Sequence, residues 1–436
     1  MRSTTALLIP IAGWLACGTA AAQTDAVPAR LSLAEAVRVA EQRNPALDAA
    51  RQQVLVADAD TAAAKRWPNP LASVESAGYS GKSTPYGFWD RQELTIQVEQ
   101  EFELGDRRRL RGEAAGAAAT ATRASLDNRV RQIRIEVQRV YFQLVLARLD
   151  AEQARASLAE IDQVIAVSRS RYKQGEVSGG ELRRLEVERL KFVDDVFAAD
   201  LALRNARSQL LALVHAGRLD IVFEPVEPLA PPSLAPAGAA GATGAAPAPF
   251  DAGSLTAQAL ANRPDLLAAR RAQDRADSEA KLQRAMRTPN VTLGAGYRRD
   301  FGDNGLVVAL SVPLPVFGRN PGGVARAEAE RQLASSRIAV AESAIALEVQ
   351  EAVNNLEISR ARVEYLERDF LKSARESRDI VFAAYREGAA DLSDYLDAQR
   401  ALRAGQRAYN RALFEHRMHL FRLDAALGRV AGDSRP

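Results

Sequence analysis

Residues 107–172 read RRRLRGEAAGAAATATRASLDNRVRQIRIEVQRVYFQLVLARLDAEQARASLAEIDQVIAVSRSRY, with no proline and with glycine only at positions 112 and 116. From Leu126 to Ile165, apolar or small residues recur at alternating spacings of four and three. A repeat of about 3.5 residues held over this length predicts a helix that packs along a narrow coiled-coil seam. At 1.5 Å per residue it would be about 100 Å long, which no compact globular domain can bury.

The composition disfavours nucleic-acid binding and enzymatic chemistry. The net charge is +3, and arginines are interspersed with Asp and Glu instead of forming a basic block. This pattern is typical of solvated helix faces, whereas nucleic-acid binding needs a concentrated positive surface. The sequence contains no glycine-rich nucleotide loop and no hydrolase signature. We therefore predict a protein that is not an enzyme, needs no cofactor and binds no nucleic acid.

The N-terminus has the features of a signal peptide over residues 1–22. Arg2 is followed by an apolar stretch and then by small residues that end at Ala22, a typical cleavage site. The only cysteine, Cys17, lies inside this segment. Lipidation of Cys17 is an alternative, although Trp14 makes a poor lipobox. After residue 22 we find no run of about 18 apolar residues, so we expect no transmembrane helix.

The chain contains an internal duplication. Residues 45–51 and 264–270 share Pro, Leu, Ala, Ala and Arg at identical relative positions. We predict a first repeat over 23–216 and a second over 254–428, each with a helix, a β-hairpin, a long helix and a return helix. An Ala, Pro and Gly-rich linker over 217–253 joins the repeats. The predicted elements are hairpins at about 71–104 and 291–317, long helices at about 107–172 and 323–386, return helices at about 181–216 and 391–428, and a flexible tail over 429–436.

Both hairpins have the dimensions of membrane-spanning strands. Apolar and polar side chains alternate along residues 93–98, and Asn304-Gly305 is a typical hairpin-turn signal. The last predicted strand has one apolar face, lined by Leu306, Val308, Leu310, Val312 and Leu314. Strands of about ten residues with one apolar face fit a tilted membrane crossing, although a soluble hairpin has the same pattern. Four strands cannot close a barrel, which needs about eight. Strands that spanned a membrane would therefore need several chains.

Three segments are informative at the ends of the predicted hairpins: WPNPL at 67–71, ELGDRR at 103–108 and SVPLPVFGRN at 311–320. With the duplicated layout, the chain resembles the TolC family of outer-membrane efflux proteins over nearly the whole mature chain. On these three segments it is most similar, within the family, to the cation-efflux branch that contains CzcC and CusC. Asp106, Arg107 and Gly318 depart from the branch's pattern.

The resemblance implies a mainly α protein with a membrane β-barrel. Three chains would form a homotrimer in which each gives four strands to a twelve-stranded barrel. Long coiled-coil hairpins would form an α-helical tunnel through the periplasm. The implied function is that of a passive outer-membrane duct in a tripartite efflux pump, working with a periplasmic adaptor (membrane fusion protein) and an inner-membrane RND transporter. The implied cargo is a heavy-metal cation: cobalt, zinc, cadmium or copper.

Three other functions stay open at this point. Two belong to the same class: an outer-membrane factor for multidrug efflux or for type I secretion. The third is a soluble periplasmic coiled-coil adaptor or scaffold with small β-modules.

Each long helix ends in a Tyr-x-x-Gly motif, at residues 172–175 and 385–388. Glycine directly after a periodic run is a helix C-cap signal. Short turns at the end of a long hairpin suit docking on a partner, and the resemblance implies contact with the adaptor. The predicted docking residues are Gly175, Gly179, Gly180 and Gly388.

Two aspartates follow the second turn, at six and nine residues beyond Gly388. Asp394 and Asp397 match the spacing of an aspartate pair that rings the periplasmic entrance in the TolC family. Three copies of such a pair in a narrow pore would attract cations. The alternative is that they are solvated acids near a helix start, where Asp suits the helix dipole and Asp391 serves as the cap.

His416 and His419 form the one candidate metal pair, spaced three apart on a predicted helix. His416 lies on the apolar seam of that helix, and no third ligand is evident from the sequence. No metal site is therefore predicted.

Overall fold

The computed structural model describes residues 28–78, 92–215, 217–229, 251–300 and 303–429. The predicted signal peptide and Cys17 lie outside the described residues, so both stay predictions.

The first repeat begins with two short helices and ends with two long ones. Its helices start where the sequence supplies caps: Ser32 and Glu35 form a capping box, and Asn44 caps the helix that Pro45 opens. The elements are β1 (Arg30–Leu31), α1 (Leu33–Arg43), α2 (Pro45–Ala64), β2 (Leu71–Gly78), β3 (Gln92–Phe102), α3 (Arg107–Lys173) and α4 (Gly179–Leu213).

The second repeat follows the same order with one interruption in its long helix. The elements are β4 (Glu224–Pro225), α5 (Ala252–Asn262), α6 (Pro264–Ala285), β5 (Val291–Asp300), β6 (Asp303–Ser311), α7 (Pro321–Tyr365), a π-helix (Leu366–Leu371), α8 (Lys372–Arg386) and α9 (Leu392–Ala426). The prediction of a mainly helical chain with long helices and a small antiparallel sheet is confirmed. Among the described residues, none of the helices combines the length and hydropathy that crossing a bilayer requires.

The sheet joins the two repeats. Its strand order is β2-β3-β5-β6, and every pairing is antiparallel. β6 begins at Asp303, so Asn304 and Gly305 lie in the strand and pair with Arg299 and Arg298. The expectation that Asn304-Gly305 forms the turn is therefore wrong, because the ladder extends beyond it. β6 also ends before the predicted limit, since Pro313 and Pro315 lack the N–H that a ladder needs.

The long helix of the first repeat is continuous, and its predicted seam is largely buried. α3 spans 67 residues, and Val137, Leu144 and Ile161 on the seam are almost fully buried. The helix predicted over 323–386 is different, because the π-helix separates α7 from α8. Its Phe370 packs directly against Gly405 of α9. The heptad pattern did not reveal this interruption, since a π-turn shifts register by a single residue.

The predicted linker over 217–253 is shorter in the structure. Phe223 and Leu229 are buried, and β4 pairs in parallel with β1. Helix α5 already begins at Ala252. The N–H of Arg429, the first residue of the predicted tail, donates to the carbonyl of Asp424, and residues 430–436 lie outside the described residues. Packing against the helices thus orders both flanks of the Ala, Pro and Gly-rich segment.

In the part of the chain that the structure describes, three apolar clusters hold the helices together. The largest contains Tyr141 and Phe142 of α3 with residues of α1, α4 and α9. A second joins α5, α6, α7 and α9. The third lies where α3, α4, α8 and α9 end or begin, and we call this end of the molecule the tip (residues 158–185 and 381–397).

Candidate functional site

The two turns at the tip have the same backbone geometry. Gly175 and Gly388 have φ of +80° and +77°, the left-handed region in which glycine is unstrained. In the first turn the N–H of Glu176 donates to the carbonyl of Arg171, and in the second the N–H of Ala389 donates to that of Ala384. These six-to-one bonds define Schellman motifs. The duplicated Tyr-x-x-Gly motif therefore encodes one turn type twice.

The tyrosines of the two motifs differ in burial. Tyr172 is 49% exposed, whereas Tyr385 is 2% exposed. The Tyr385 hydroxyl lies 2.8 Å from Ser168 Oγ of α3 and donates to Glu181 Oε1 of α4 at 3.0 Å. Burial raises the pKa of Tyr385, so the phenol stays neutral. One hydroxyl thus connects the second repeat to both long helices of the first.

Arg171 makes a second connection across the tip. Its Nη1 donates to the carbonyl of Tyr385 at 2.7 Å, and its Nε donates to Glu176 Oε2 at 3.1 Å. The guanidinium carbon also lies 5.5 Å from the centroid of the Tyr385 ring, a cation–π distance. A carbonyl at the end of α8 is therefore satisfied by a side chain from the other repeat.

The predicted aspartates lie exposed at the start of α9. Asp391 is the N-cap, as the alternative interpretation proposed, and it forms a capping box with Asp394. The N–H of Asp391 donates to Asp394 Oδ2 at 3.3 Å. Asp397 accepts from Arg400 Nη1 at 2.6 Å. Asp394 thus has a local structural role, and both carboxylates remain accessible to solvent.

The glycines predicted to dock a partner also lie exposed at the tip. Gly179 and Gly180 open α4 after its cap, Ser178, which accepts from the N–H of Glu181. A Cβ at Gly180 would find Ser178 Oγ at 3.8 Å and nothing closer, so a side chain fits there.

Within the described ranges, the structure places no third ligand beside His416 and His419. His416 is buried, and its Nδ1 lies 2.9 Å from Ser359 Oγ of α7. The His416 Nε2 and His419 Nδ1 atoms are buried without a hydrogen-bond partner in the described part of the chain. Among the described residues, no group of three or more His, Cys, Asp or Glu could hold a metal ion.

Sequence reasoning missed Arg171 and Glu181 as members of the tip network. Their shared partner is Tyr385, more than 200 positions away. Local periodicity carries no signal for such a contact.

The long paired helices, the sheet shared by two repeats and the duplicated tip turns define an outer-membrane channel protein. The profile of the family described as "Outer membrane efflux protein" matches residues 36–214 and 255–429. The chain belongs to this family, the TolC family, as the sequence predicted. It is a non-enzymatic transport component of the outer membrane, so the soluble-scaffold alternative is not retained.

Individual relatives match nearly the whole chain. CzcC of Cupriavidus metallidurans, a cobalt-zinc-cadmium resistance protein, is 25% identical over 404 residues, which cover 92% of this chain and 90% of CzcC. The crystal structure of VceC from Vibrio cholerae matches with a TM-score of 0.72 at 21% identity, covering 91% of this chain and 96% of VceC. A CusC structure matches with a TM-score of 0.73 at 18% identity, covering 91% and 92%. The two structures share the fold of this chain.

Proposed function

We propose that three copies of this chain close a twelve-stranded barrel in the outer membrane and that their helices form a tunnel through the periplasm. The sheet is the observation that carries this proposal. In the described residues, β2 and β6 are edge strands with one neighbour each. Unpaired edges favour pairing with another chain, and four strands are too few to enclose a channel. Pairing β6 of one copy with β2 of the next would remove every edge.

The difference between the two faces of the sheet supports a location of the sheet in the membrane. The pairing register places Val74, Ile96, Tyr297 and Leu306 in one row across all four strands, and Ala72, Val98, Ala295 and Val308 in the next. Leu306 is 91% exposed and Val308 83%. An apolar face this exposed in one copy fits contact with lipid. The opposite face would then line the lumen.

The long helices support the proposed trimer independently. Helix α4 exposes Val187, Leu190, Phe197 and Leu201, which follow coiled-coil spacing, and each is about 60% exposed or more. Helix α7 exposes Leu333, Val340 and Leu347 at intervals of seven. Such stripes are unfavourable in water and fit seams with neighbouring copies.

We propose that the cargo is a heavy-metal cation that leaves through this duct, with an inner-membrane RND transporter and a periplasmic adaptor as partners. The similarity to CzcC supports the cargo class. The polar face of the sheet adds a physical reason, because a lumen rich in carboxylates attracts cations. Its charged residues are Glu75, Glu93, Glu99, Glu101, Asp300, Asp303 and one base, Arg298.

We assign the tip to the periplasmic entrance. Asp394 and Asp397 would ring the pore, since both are exposed on one side of α9. Gly175, Gly179, Gly180 and Gly388 would meet the adaptor.

Assembly is tested by fractionating cells and measuring the mass of the detergent-solubilised protein by light scattering. We expect an outer-membrane trimer. Leu306→Asp and Val308→Asp together should reduce membrane insertion, because they bury charge in lipid, whereas Val307→Asp on the opposite face should not. A soluble monomer would disprove the channel.

Cargo is tested by expressing the chain with its transporter and adaptor in a host that lacks its own efflux ducts. We expect increased tolerance of cobalt, zinc, cadmium or copper. Increased tolerance of organic drugs without any change for metals would instead support multidrug efflux, and export of a co-expressed protein substrate would support type I secretion.

A further inference from the structure

Basic side chains collect where the sheet meets the helices, a region we call the junction (residues 65–70, 102–111, 284–290 and 312–321). Four of its arginines are exposed and have no acidic partner in the described part of the chain: Arg66, Arg108, Arg287 and Arg319. The acidic side chains of the junction are already paired, Glu103 with Arg111 and Asp106 with Arg109. The junction therefore carries an uncompensated positive charge.

Two of these arginines line one open recess. It has a volume of about 380 Å³ and is lined by Arg287, Thr288, Arg319 and Pro321. Among the residues that the structure describes, no carboxylate lines it. Guanidinium groups donate in pairs to phosphate oxygens, and a threonine hydroxyl adds a further donor. The lining therefore suits a phosphate group.

Exposed apolar side chains lead from the sheet to this recess. Leu314 is 78% exposed, Val316 is 74% exposed and Phe317 is fully exposed. They follow β6 in the chain and end two residues before Arg319. A free phosphate ion would not use these residues, whereas the acyl chains of a lipid would cover them.

The first repeat has a related arrangement. The Arg108 guanidinium carbon lies 4.3 Å from the centroid of the Trp67 ring, and that ring packs edge-on against Phe102 at 6.2 Å. Tryptophan is enriched at the boundary between lipid and water. Both repeats thus combine exposed arginine with exposed apolar surface at the same level of the molecule.

We propose that the junction binds anionic phospholipid, with the phosphate of the head group held by Arg287 and Arg319 and the acyl chains lying against Leu314, Val316 and Phe317. This inference rests on the proposed function, because it requires the sheet to lie in the membrane. The lipid would come from the periplasmic leaflet, which is the side of the sheet from which the helices emerge.

The test is lipid binding by the purified trimer in a neutral detergent, followed by native mass spectrometry. The probes are dioctanoyl phosphatidylglycerol and dioctanoyl phosphatidylcholine, which share their chains and differ in charge. The R287Q/R319Q variant removes both recess arginines. The matched control is R368Q/R386Q, which removes two exposed arginines from the π-helix and α8.

We expect wild type and the control to bind phosphatidylglycerol more tightly than phosphatidylcholine. R287Q/R319Q should lose roughly 10- to 30-fold in phosphatidylglycerol affinity, given the usual contribution of a basic residue near anionic lipid. Added salt should weaken the preference, since the contact is electrostatic and exposed.

Three results would overturn the inference. The first is that both lipids bind with equal affinity. The second is that R287Q/R319Q binds phosphatidylglycerol as tightly as wild type does. The third is that inorganic phosphate displaces bound phosphatidylglycerol as effectively as added phosphatidylglycerol does. The mass of the particle is recorded in the same experiment. A trimer without lipid preference refutes only this inference, whereas the absence of a trimer refutes the proposed channel.

Discussion

Replacing Gly405 with alanine, beside the Phe370 ring, separates two effects on stability: the helix propensity of the new residue and its packing. Gly405 lies inside α9, where alanine would normally stabilise the helix by about 1 kcal/mol. A Cβ at this position would lie 2.7 Å from Phe370 Cδ1, far inside contact distance. Overpacking of this kind costs about 1–3 kcal/mol. The G405A substitution should therefore destabilise the helices locally, by about 1 kcal/mol after the two effects are combined.

Gly116 of α3 provides the matched control. It also lies in a helix interior, and a Cβ there would meet nothing within 4 Å. Propensity acts alone at this position, so G116A should stabilise α3 by about 1 kcal/mol. The same chemical change is thus expected to have opposite signs at the two sites.

Hydrogen exchange measured by mass spectrometry reads these local free energies, because protection follows the cost of local opening. In G405A, peptides covering the π-helix and residues 400–410 should exchange roughly fivefold faster, the factor that corresponds to about 1 kcal/mol. In G116A, peptides around residue 116 should exchange more slowly.

A second-site variant isolates the clash. In F370A the ring is absent, so the added G405A substitution should become neutral or stabilising, with a coupling of about 1–3 kcal/mol between the two positions. If G405A slows exchange as G116A does, or acts identically with and without the Phe370 ring, the packing argument is refuted.

Three further predictions concern the tip and the buried histidine. Tyr385→Phe removes a hydroxyl that connects three helices, so it should cost about 1–2 kcal/mol and increase protease cleavage at the tip, while the exposed Tyr172→Phe should have no effect. Burial lowers the pKa of His416 below the ordinary histidine value of about 6.5. The folded protein therefore favours the neutral imidazole. Its contribution to stability is complete above pH 6.5 and is lost as the pH falls toward the lowered pKa of the folded state. His416→Gln should flatten that acid loss of thermal stability, and an unchanged pH profile would contradict this. In planar bilayers, Asp394→Ala with Asp397→Ala should weaken block by divalent cations; unchanged block would place both residues outside the pore.

The sequence by itself determined the parts that depend on local spacing. The heptad repeat from Leu126 to Ile165 predicts a long helix, because its apolar stripe needs a partner along its full length. The glycine that ends each Tyr-x-x-Gly motif determines the turn. A Schellman motif needs a residue in the left-handed region, and glycine adopts that conformation without strain. The duplication and the alternating strands indicated the family before any contact was known.

Only the tertiary structure decided which residues of the two repeats contact each other. The pairing of β3 with β5, the hydroxyl of Tyr385 between Ser168 and Glu181, and the Phe370 ring on Gly405 all join residues far apart in the chain. Helix and strand periods specify which face of an element is buried, but not what it is buried against. The position of Arg287 and Arg319 along one recess has the same cause, because a hairpin brings together two residues that no local pattern relates.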